Sequence, residues 1–269
     1  WGENGGALET HVLKMLRYDR EFLEEFYDLH RRDAMAMERL TSSPHVMDVY
    51  AFCAQSAINE YAIDTIEKFA MKMRDDFSKT IYKLYLAKSV ARGVADMHEI
   101  DYEGGRNATL VHYDLNPRNV AVVKGGHAKI NDFNVAEFLA WDKEKGERCK
   151  FKGRLHEPWW RAPEEVILPK VKVPSGGGDR DGAGAGGAGA GEDEEEMDNS
   201  GDGVAFDDGT PLLDEKVDIY SMANVFYRIM TGRAPRGKSI PSRIDEVREE
   251  VAQGLPPRLP VRYLDTKDP

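Results

Sequence analysis

Residues 174–210 set the first limit on what this chain can fold into. The stretch SGGGDRDGAGAGGAGAGEDEEEMDNSGDG, which fills most of that span, holds almost no apolar side chain beyond alanine. Such a segment cannot bury enough surface to offset the entropy of ordering it, so it reads as a disordered insertion. The piece that follows, Leu212 to Pro269, is too short and too one-sided to fold alone. The insertion therefore interrupts one folded domain and does not separate two. It also carries the charge. Between 175 and 209 eleven acids face a single base, Arg180, while the whole 269-residue chain has a net charge of −11. The rest of the chain is close to neutral, and with no basic excess a nucleic-acid role has no electrostatic support. The acidic run could instead be the working part, capturing basic partners, but Gly-Ala repeats carry no recognition chemistry and a tolerated expansion is the better reading.

Ahead of the insertion the order of elements is legible. ALETHVLKML (7–16) reads as a strand and REFLEEFYDLHRRDAMAMERL (20–40) as a helix with few breakers. SSP at 42–44 is a stop, after which VMDVYAFC and SAINEYA form the two short strands of a hairpin. FSKTIYKLYLAKSVARGVADMHEI (77–100) predicts a long helix with a buried stripe of Ile81, Leu84, Tyr85, Ala87, Val90, Val94 and Met97. VAVV and AKIND frame Gly125 and Gly126 as a second hairpin. Beyond the insertion, VDIYSMANVFYRIMTG (217–232) is apolar nearly all round, which predicts a core helix ending at Gly232 near Pro235. Strands lead and helices follow, so the expected class is α+β, with a cleft between two lobes.

The chemistry concentrates in VHYDLNPRNVAVV (111–123). Asp114 and Asn119 stand five apart, and Asp132 of NDFN follows Asn119 by thirteen residues, so the second hairpin gathers all three at its ends. Carboxylate and carbonyl oxygens are hard ligands suited to Mg²⁺, which binds through one or two carboxylates plus phosphate and keeps several waters. Another acid nearby could accept or orient a hydroxyl proton. That is the equipment of phosphoryl transfer, where catalysis is mostly positioning and charge neutralisation.

These stretches stand in a familiar order. HYDLNPRN matches the H-R-D-L-x-x-x-N catalytic loop of the eukaryotic protein kinases. DFN at 132–134 matches D-F-G, RAPEE at 161–165 matches A-P-E, and KVDIYSMANVFYRIMTG resembles the family's central C-lobe helix with its buried acid, here Asp218. VLK at 12–14 is similar to V-A-I-K, and ARGVADMHE to the helix that leads into the catalytic loop. From about residue 7 to residue 260, outside the insertion, the chain resembles a protein kinase domain, partial at both ends. The resemblance implies a bilobal fold: a truncated strand-rich N-lobe over about 1–62, and a helical C-lobe over about 63–269 carrying the insertion.

It also implies ATP and Mg²⁺ as cofactors and a protein substrate. By the resemblance, Asp114 would orient the substrate hydroxyl and accept its proton, and Asn119 and Asp132 would hold Mg²⁺. Lys14 would contact the α- and β-phosphates and pair with Asp33, where the family prefers Glu. Asn59 would be the gatekeeper, with Glu60, Tyr61 and Ala62 as hinge; the Glu60 carbonyl and the Ala62 N–H would meet adenine. Arg118 sits where tyrosine kinases carry an arginine and could neutralise the γ-phosphate. Blander readings compete: Lys14 as an ordinary strand lysine, Asp33 as a solvated acid of the HRRD run, His112 and Asp218 as buried scaffold.

Departures from the pattern bear on activity. Tyr113 replaces the arginine that commonly meets an activation-segment phosphate, yet residues 133–161 contain no Ser, Thr or Tyr, so receptor and phosphosite are absent together. That suits a kinase needing no phosphorylation there, and equally a pseudokinase serving as a nucleotide-binding or scaffolding module; Lys14, Asp114, Asn119 and Asp132 favour the active enzyme. Asn116 replaces the lysine usual in Ser/Thr kinases, Asn134 replaces the glycine of D-F-G, and Glu157 puts an acid near Asp114. No G-x-G-x-x-G precedes Lys14 at the family distance, and the chain stops before the last C-lobe helices that normally supply the arginine for the A-P-E glutamate, here Glu164, so both lie outside this chain or are absent. WWRAPE and Pro117 resemble the Ser/Thr pattern and Arg118 the tyrosine one, which leans toward Ser/Thr. Two distant cysteines, Cys53 and Cys149, argue for a reducing compartment, expected to be the cytoplasm. No apolar run nears the roughly 20 residues of a membrane span, residue 1 opens no signal peptide, and the oligomeric state is left open.

Overall fold

A computed structural model describes residues 9–15, 23–100, 109–154, 157–166 and 211–263. The insertion expected at 174–210 lies outside them. Residues 1–167 and 211–269 belong to one unit and residues 168–210 to another.

The first strand, β1 (His11–Met15), is followed by helix α1 (Glu24–Arg39) and the hairpin β2 (Val49–Cys53) and β3 (Ser56–Glu60). They form an antiparallel sheet of order β1-β3-β2, with Lys14 opposite Ala57 and Val12 opposite Asn59. Glu24 and Glu25 open α1 and Arg39 closes it, the charge order that complements the helix dipole. The helix buries Asp33, Ala34, Ala36 and Met37. An acid in that buried set needs partners, and they are the site described below.

After β3 the chain passes through Tyr61 into β4 (Ala62–Thr65), α2 (Ile66–Lys72) and α3 (Thr80–His98), then β5 (Leu110–Val111), β6 (Val120–Val123) and β7 (Ala128–Ile130). The second sheet has the order β4-β6-β7. Its β6–β7 turn is the predicted Gly-Gly hairpin. Gly125 and Gly126 have φ of 92° and 80°, and a Cβ on Gly126 would stand 2.6 Å from the Tyr82 hydroxyl that donates to its carbonyl. Two backbone bonds, Met47 N–H to the Ile130 carbonyl and Ile130 N–H to the His45 carbonyl, tie β7 to the segment leading into the first sheet.

The predicted stripe of α3 needs correction in its first half. Val90, Val94 and Met97 are buried, but Ile81 is 79% exposed and Leu84 and Tyr85 also face outward. The buried positions there are Lys83 and Leu86. The Lys83 ammonium donates to the Met230 carbonyl at 3.2 Å, so a charged residue occupies an inner position by capping the next helix along.

Short strand pairs follow: β8 (Glu137–Phe138) on β5, and β9 (Trp141–Asp142) on β10 (Glu147–Arg148). Then β11 (Phe151–Lys152) pairs with β12 (Leu212–Leu213), with Phe151 opposite Leu213 and the Gly153 N–H on the Pro211 carbonyl. That ladder joins chain from both sides of residues 168–210, so the segment interrupts one folded unit. Helix α4 (Pro163–Val166) precedes it, and α5 (Lys216–Thr231) and α6 (Ile244–Ala252) follow. As predicted, α5 ends at Gly232, in left-handed conformation with φ of 68°. Its inner face is more polar than the sequence suggested: Asp218, Ser221, Asn224 and Arg228 are buried beside Val217, Val225 and Ile229.

Candidate active site

Strand β1, helix α1 and the loop after β7 converge on one ammonium group. Lys14 Nζ lies 2.8 Å from Asp33 Oδ2 and 2.8 Å from Asp132 Oδ1. Burial works to lower the Lys14 pKa, but the two carboxylates outweigh it and the net direction is up, so the ammonium is held charged. Asp33, only 3% exposed, spends its other oxygen on the Phe133 N–H at 2.7 Å. Although Asp33 is one methylene shorter than the Glu the family prefers, α1 lies close enough for it to hold both the lysine and the backbone next to Asp132.

The loop between β5 and β6 is held from below by α5. Asp218 accepts from the N–H groups of His112 and Tyr113 at 2.8 and 3.0 Å and contacts His98 Nε2 at 3.1 Å. Under that restraint Tyr113 takes a φ of 63°, and across the site Asp132 takes 68°. Left-handed backbone at non-glycine residues costs of order 1–3 kcal/mol each and survives only where surroundings impose it. His112 packs its ring on Phe133 and contacts the Asn131 carbonyl, a scaffold position.

These restraints turn Asp114 into a carboxylate held at both oxygens. Asn119 Nδ2 donates to Asp114 Oδ2 and to its carbonyl, both at 2.9 Å, and Arg161 Nη2 donates to Oδ1 at 2.6 Å. Asn116 is used on backbone, donating to the Asp114 carbonyl and accepting from the Arg118 N–H. A cavity of about 360 Å³ opens beside Asp114, and Arg118, Glu157 and Trp160 are on its wall. Arg118 is exposed there.

Tyr113 is 1% exposed, and its hydroxyl donates to the Arg154 carbonyl at 3.1 Å and accepts from the Arg154 N–H at 2.5 Å. Its ring meets Phe151 edge-on with centroids 4.9 Å apart. The tyrosine thus ties the Asp114 loop to the segment between β8 and α4. A carboxylate reinforces that tie: Glu137 accepts from Arg32 of α1 at 3.1 Å and from Arg154 at 3.4 Å.

Arg161 and Glu165 are functional neighbours that motif matching missed. The signal was a cation inside the apolar run PWWRAP, since a charge buried in such a run must be paired. Sequence reasoning fixed on Glu164, but the buried acid is Glu165, which accepts from the Ala162 N–H at 2.6 Å and contacts Arg161 at 3.4 Å.

The remaining predicted residues flank this centre. Glu60 ends β3 and Ala62 begins β4. The Glu60 side chain and Asp48 both pair with Lys129 of β7, at 2.7 and 3.0 Å. Asn59 is buried with no partner for its Oδ1 among the described residues, and by register it shares a sheet face with Lys14.

Chemically the donor set fits Mg²⁺. Asn119 turns its amide N–H inward to Asp114, so its carbonyl oxygen would be available to a cation, and Asp132 commits one oxygen to Lys14, so its other oxygen would be available too. No group of three acidic, His or Cys ligands occurs among the described residues, so a cation held here would complete its shell with phosphate oxygens and water, the habit of Mg²⁺.

The sequence model of the protein tyrosine and serine/threonine kinases matches residues 5–175. The chain belongs to the protein kinase family. The strand-rich N-terminal part and the helical C-terminal part are the two lobes of that fold, and ATP and Mg²⁺ are what the family generally uses. Similar proteins include both specificities. Tyrosine-protein kinase Src64B of Drosophila melanogaster is 28% identical over 136 residues, which is 47% of this chain and 22% of that protein. Tyrosine-protein kinase SYK of Gallus gallus is 29% identical over 140 residues, 49% of this chain and 20% of that protein. The serine/threonine-protein kinase TNNI3K of Homo sapiens is 32% identical over 82 residues, 30% of this chain and 9% of that protein. This kinase domain spans about a fifth of the length of the first two relatives.

Proposed function

We propose that this kinase domain transfers the γ-phosphoryl group of ATP, with Mg²⁺, to a Ser or Thr hydroxyl of a protein, and that it does so without phosphorylation of its activation segment. The observation that carries the reading is the double contact of Lys14, 2.8 Å from both Asp33 and Asp132. It brings the phosphate-contacting cation, its helix partner and the metal-binding acid into one arrangement.

Each residue then has a positioning task, which is most of what phosphoryl transfer asks of a protein. Lys14 meets the α- and β-phosphates. Asn119 and Asp132 hold Mg²⁺, which when bound supplies charge neutralisation on the transferring group. Asp114 orients the acceptor hydroxyl at the cavity and takes its proton, and Arg118 offers its exposed guanidinium to the γ-phosphate. The hinge at Glu60 and Ala62 receives adenine. Tyr113 supports the phosphate-independent part: its hydroxyl bonds Arg154 where a charged receptor would need a phosphate, and Glu137 supplies a built-in carboxylate between Arg32 and Arg154. Pro117 and the WWRAPE stretch favour Ser/Thr over Tyr.

One observation favours the rival reading of a pseudokinase: the Asp114 carboxylate is already engaged by Arg161. Phosphate transfer from labelled ATP with Mg²⁺ to a mixed Ser/Thr/Tyr peptide library separates the two, with wild type run beside Asp114→Asn in the full-length protein. Transfer onto Ser or Thr that vanishes in the variant supports the kinase. A folded wild type that binds nucleotide yet transfers nothing above the variant makes the domain a pseudokinase.

A further inference from the structure

Among the described residues, the cation in ion-pair contact with Asp114 is Arg161, directly ahead of the A-P-E motif. Its side chain is 8% exposed and both terminal nitrogens are in use. Nη1 reaches the Tyr113 carbonyl and lies 3.4 Å from Glu165 Oε1; Nη2 holds Asp114 Oδ1 at 2.6 Å; the guanidinium plane sits 5.4 Å from the centre of the Tyr113 ring. A guanidinium pinned at that many points has one orientation, which fixes where its single Nη2–H bond meets Asp114 Oδ1.

Asp114 needs such a fixture, because its side chain is 35% exposed at the edge of a cavity and gains no packing restraint on that side. Asn119 alone would restrain only Oδ2. With Arg161 on Oδ1 and Asn119 on Oδ2, both oxygens are held and the carboxylate plane is set, while each oxygen, with one bond accepted from these two side chains, has acceptor capacity left. Behind Arg161, Glu165 is fastened to the Ala162 N–H at 2.6 Å. Burial pushes its carboxyl up to about 7, with the neighbouring Arg161 working against that rise. Near neutral pH this inner acid is therefore partly protonated, and the charge of Arg161 is directed outward to Asp114.

From this geometry we infer that Arg161 is the positioning residue of the reaction proposed above, setting the plane of the Asp114 carboxylate against the acceptor hydroxyl. The inference rests on that proposed reaction. A purely structural Arg161 would govern folding alone; a positioning Arg161 governs turnover at unchanged substrate affinity.

The test compares wild type, Arg161→Met and Arg161→Lys in the full-length protein. It reads kcat and KM for ATP and acceptor peptide, nucleotide affinity by fluorescence, and thermal unfolding. Misplacing a reacting group by about 1 Å costs on the order of a hundredfold in rate, so Arg161→Met should lose about that much kcat while the KM for ATP and the nucleotide affinity stay put. Arg161→Lys restores the charge on Oδ1 without the fork, and should recover part of the loss. An active wild type matched in kcat by Arg161→Met overturns the positioning role and leaves the kinase reading standing. An inactive wild type that is folded overturns the kinase reading itself. If Arg161→Met does not fold, Arg161→Lys decides: lowered kcat at unchanged KM supports the role, and wild-type kcat removes it.

Discussion

Replacing Tyr113 by phenylalanine takes one oxygen out of the junction between the Asp114 loop and the following segment. That oxygen makes two hydrogen bonds to Arg154, at 3.1 and 2.5 Å, while the ring, 1% exposed, keeps its contact with Phe151. The ring stays, so packing contributes little and the loss includes these two bonds. At a net 0.5–1.5 kcal/mol each they amount to about 1–3 kcal/mol. The Arg154 side chain is half-exposed, so water can reach that stretch and re-solvate part of its backbone, which places the cost near the lower end, about 1 kcal/mol. In a domain of this size that lowers the melting temperature by about 2–4 °C and raises local opening roughly fivefold. Amide hydrogen exchange of Cys149 to Arg154 reads the opening directly, and kcat read alongside should fall with it, because Phe151, Arg154 and Arg161 all gather on this tyrosine. Unchanged exchange at Arg154 together with an unchanged melting temperature would refute the claim that the hydroxyl fastens the segment. Faster exchange with undiminished kcat would show that the tie holds the segment but does not matter to turnover.

Three further outcomes follow from the same geometry. Asp33→Glu, which restores the family's preferred residue, should destabilise the fold by about 1–3 kcal/mol, because an extra methylene enters a buried site already closed onto Lys14 and Phe133; thermal melts and nucleotide affinity should both fall, and a gain in either contradicts the close seating of α1. Glu165 has a folded pKa of about 7 against an ordinary 4.5, so the native state holds the extra proton and stability drops as pH rises from 4.5 through 7, by at most about 3 kcal/mol. Denaturant titrations of Glu165→Gln across that window should lack the slope, leaving the variant relatively more stable at the alkaline end. On α3, Ile81→Lys should change stability by no more than about 0.5 kcal/mol, whereas Leu86→Ala should cost about 2–5 kcal/mol, a contrast that calorimetry or chemical denaturation measures.

What the sequence disclosed and what it hid divide along a physical line. The Gly125–Gly126 turn, the Gly232 cap and the β2–β3 hairpin are written in residues whose backbone preferences act within a few positions, so they are readable one stretch at a time. The Asp114, Asn119 and Asp132 spacing is readable for a related reason, since a hairpin brings its own ends together. The first half of α3 resisted because its inner position is a lysine, and what makes Lys83 an inner residue is a carbonyl 147 positions away. Arg161 resisted in the same way, since its partner across the site is Asp114, 47 residues before it, and Glu165 was hidden with it because its own partners are Arg161 and the Ala162 N–H. Asp33 stood between the two cases, looking like one more charge in HRRD until Lys14 and Phe133 closed on it from 19 and 100 residues off. Hydropathy cannot phase such residues, because a buried charge is placed by its partner and not by its own preference for water. The same rule explains where they gather. A fold tolerates the cost of burying Asp33, Asp218, Arg161 and Glu165, and of half-burying Lys14, only where they are paired, and four of these five pair within or directly onto the Asp114–Asp132 neighbourhood, while Glu165 supports it through Arg161. Motif order therefore located the acids of the site, whereas Arg161 and Glu165, which hold Asp114 from behind, became visible only once the fold had brought their partners together.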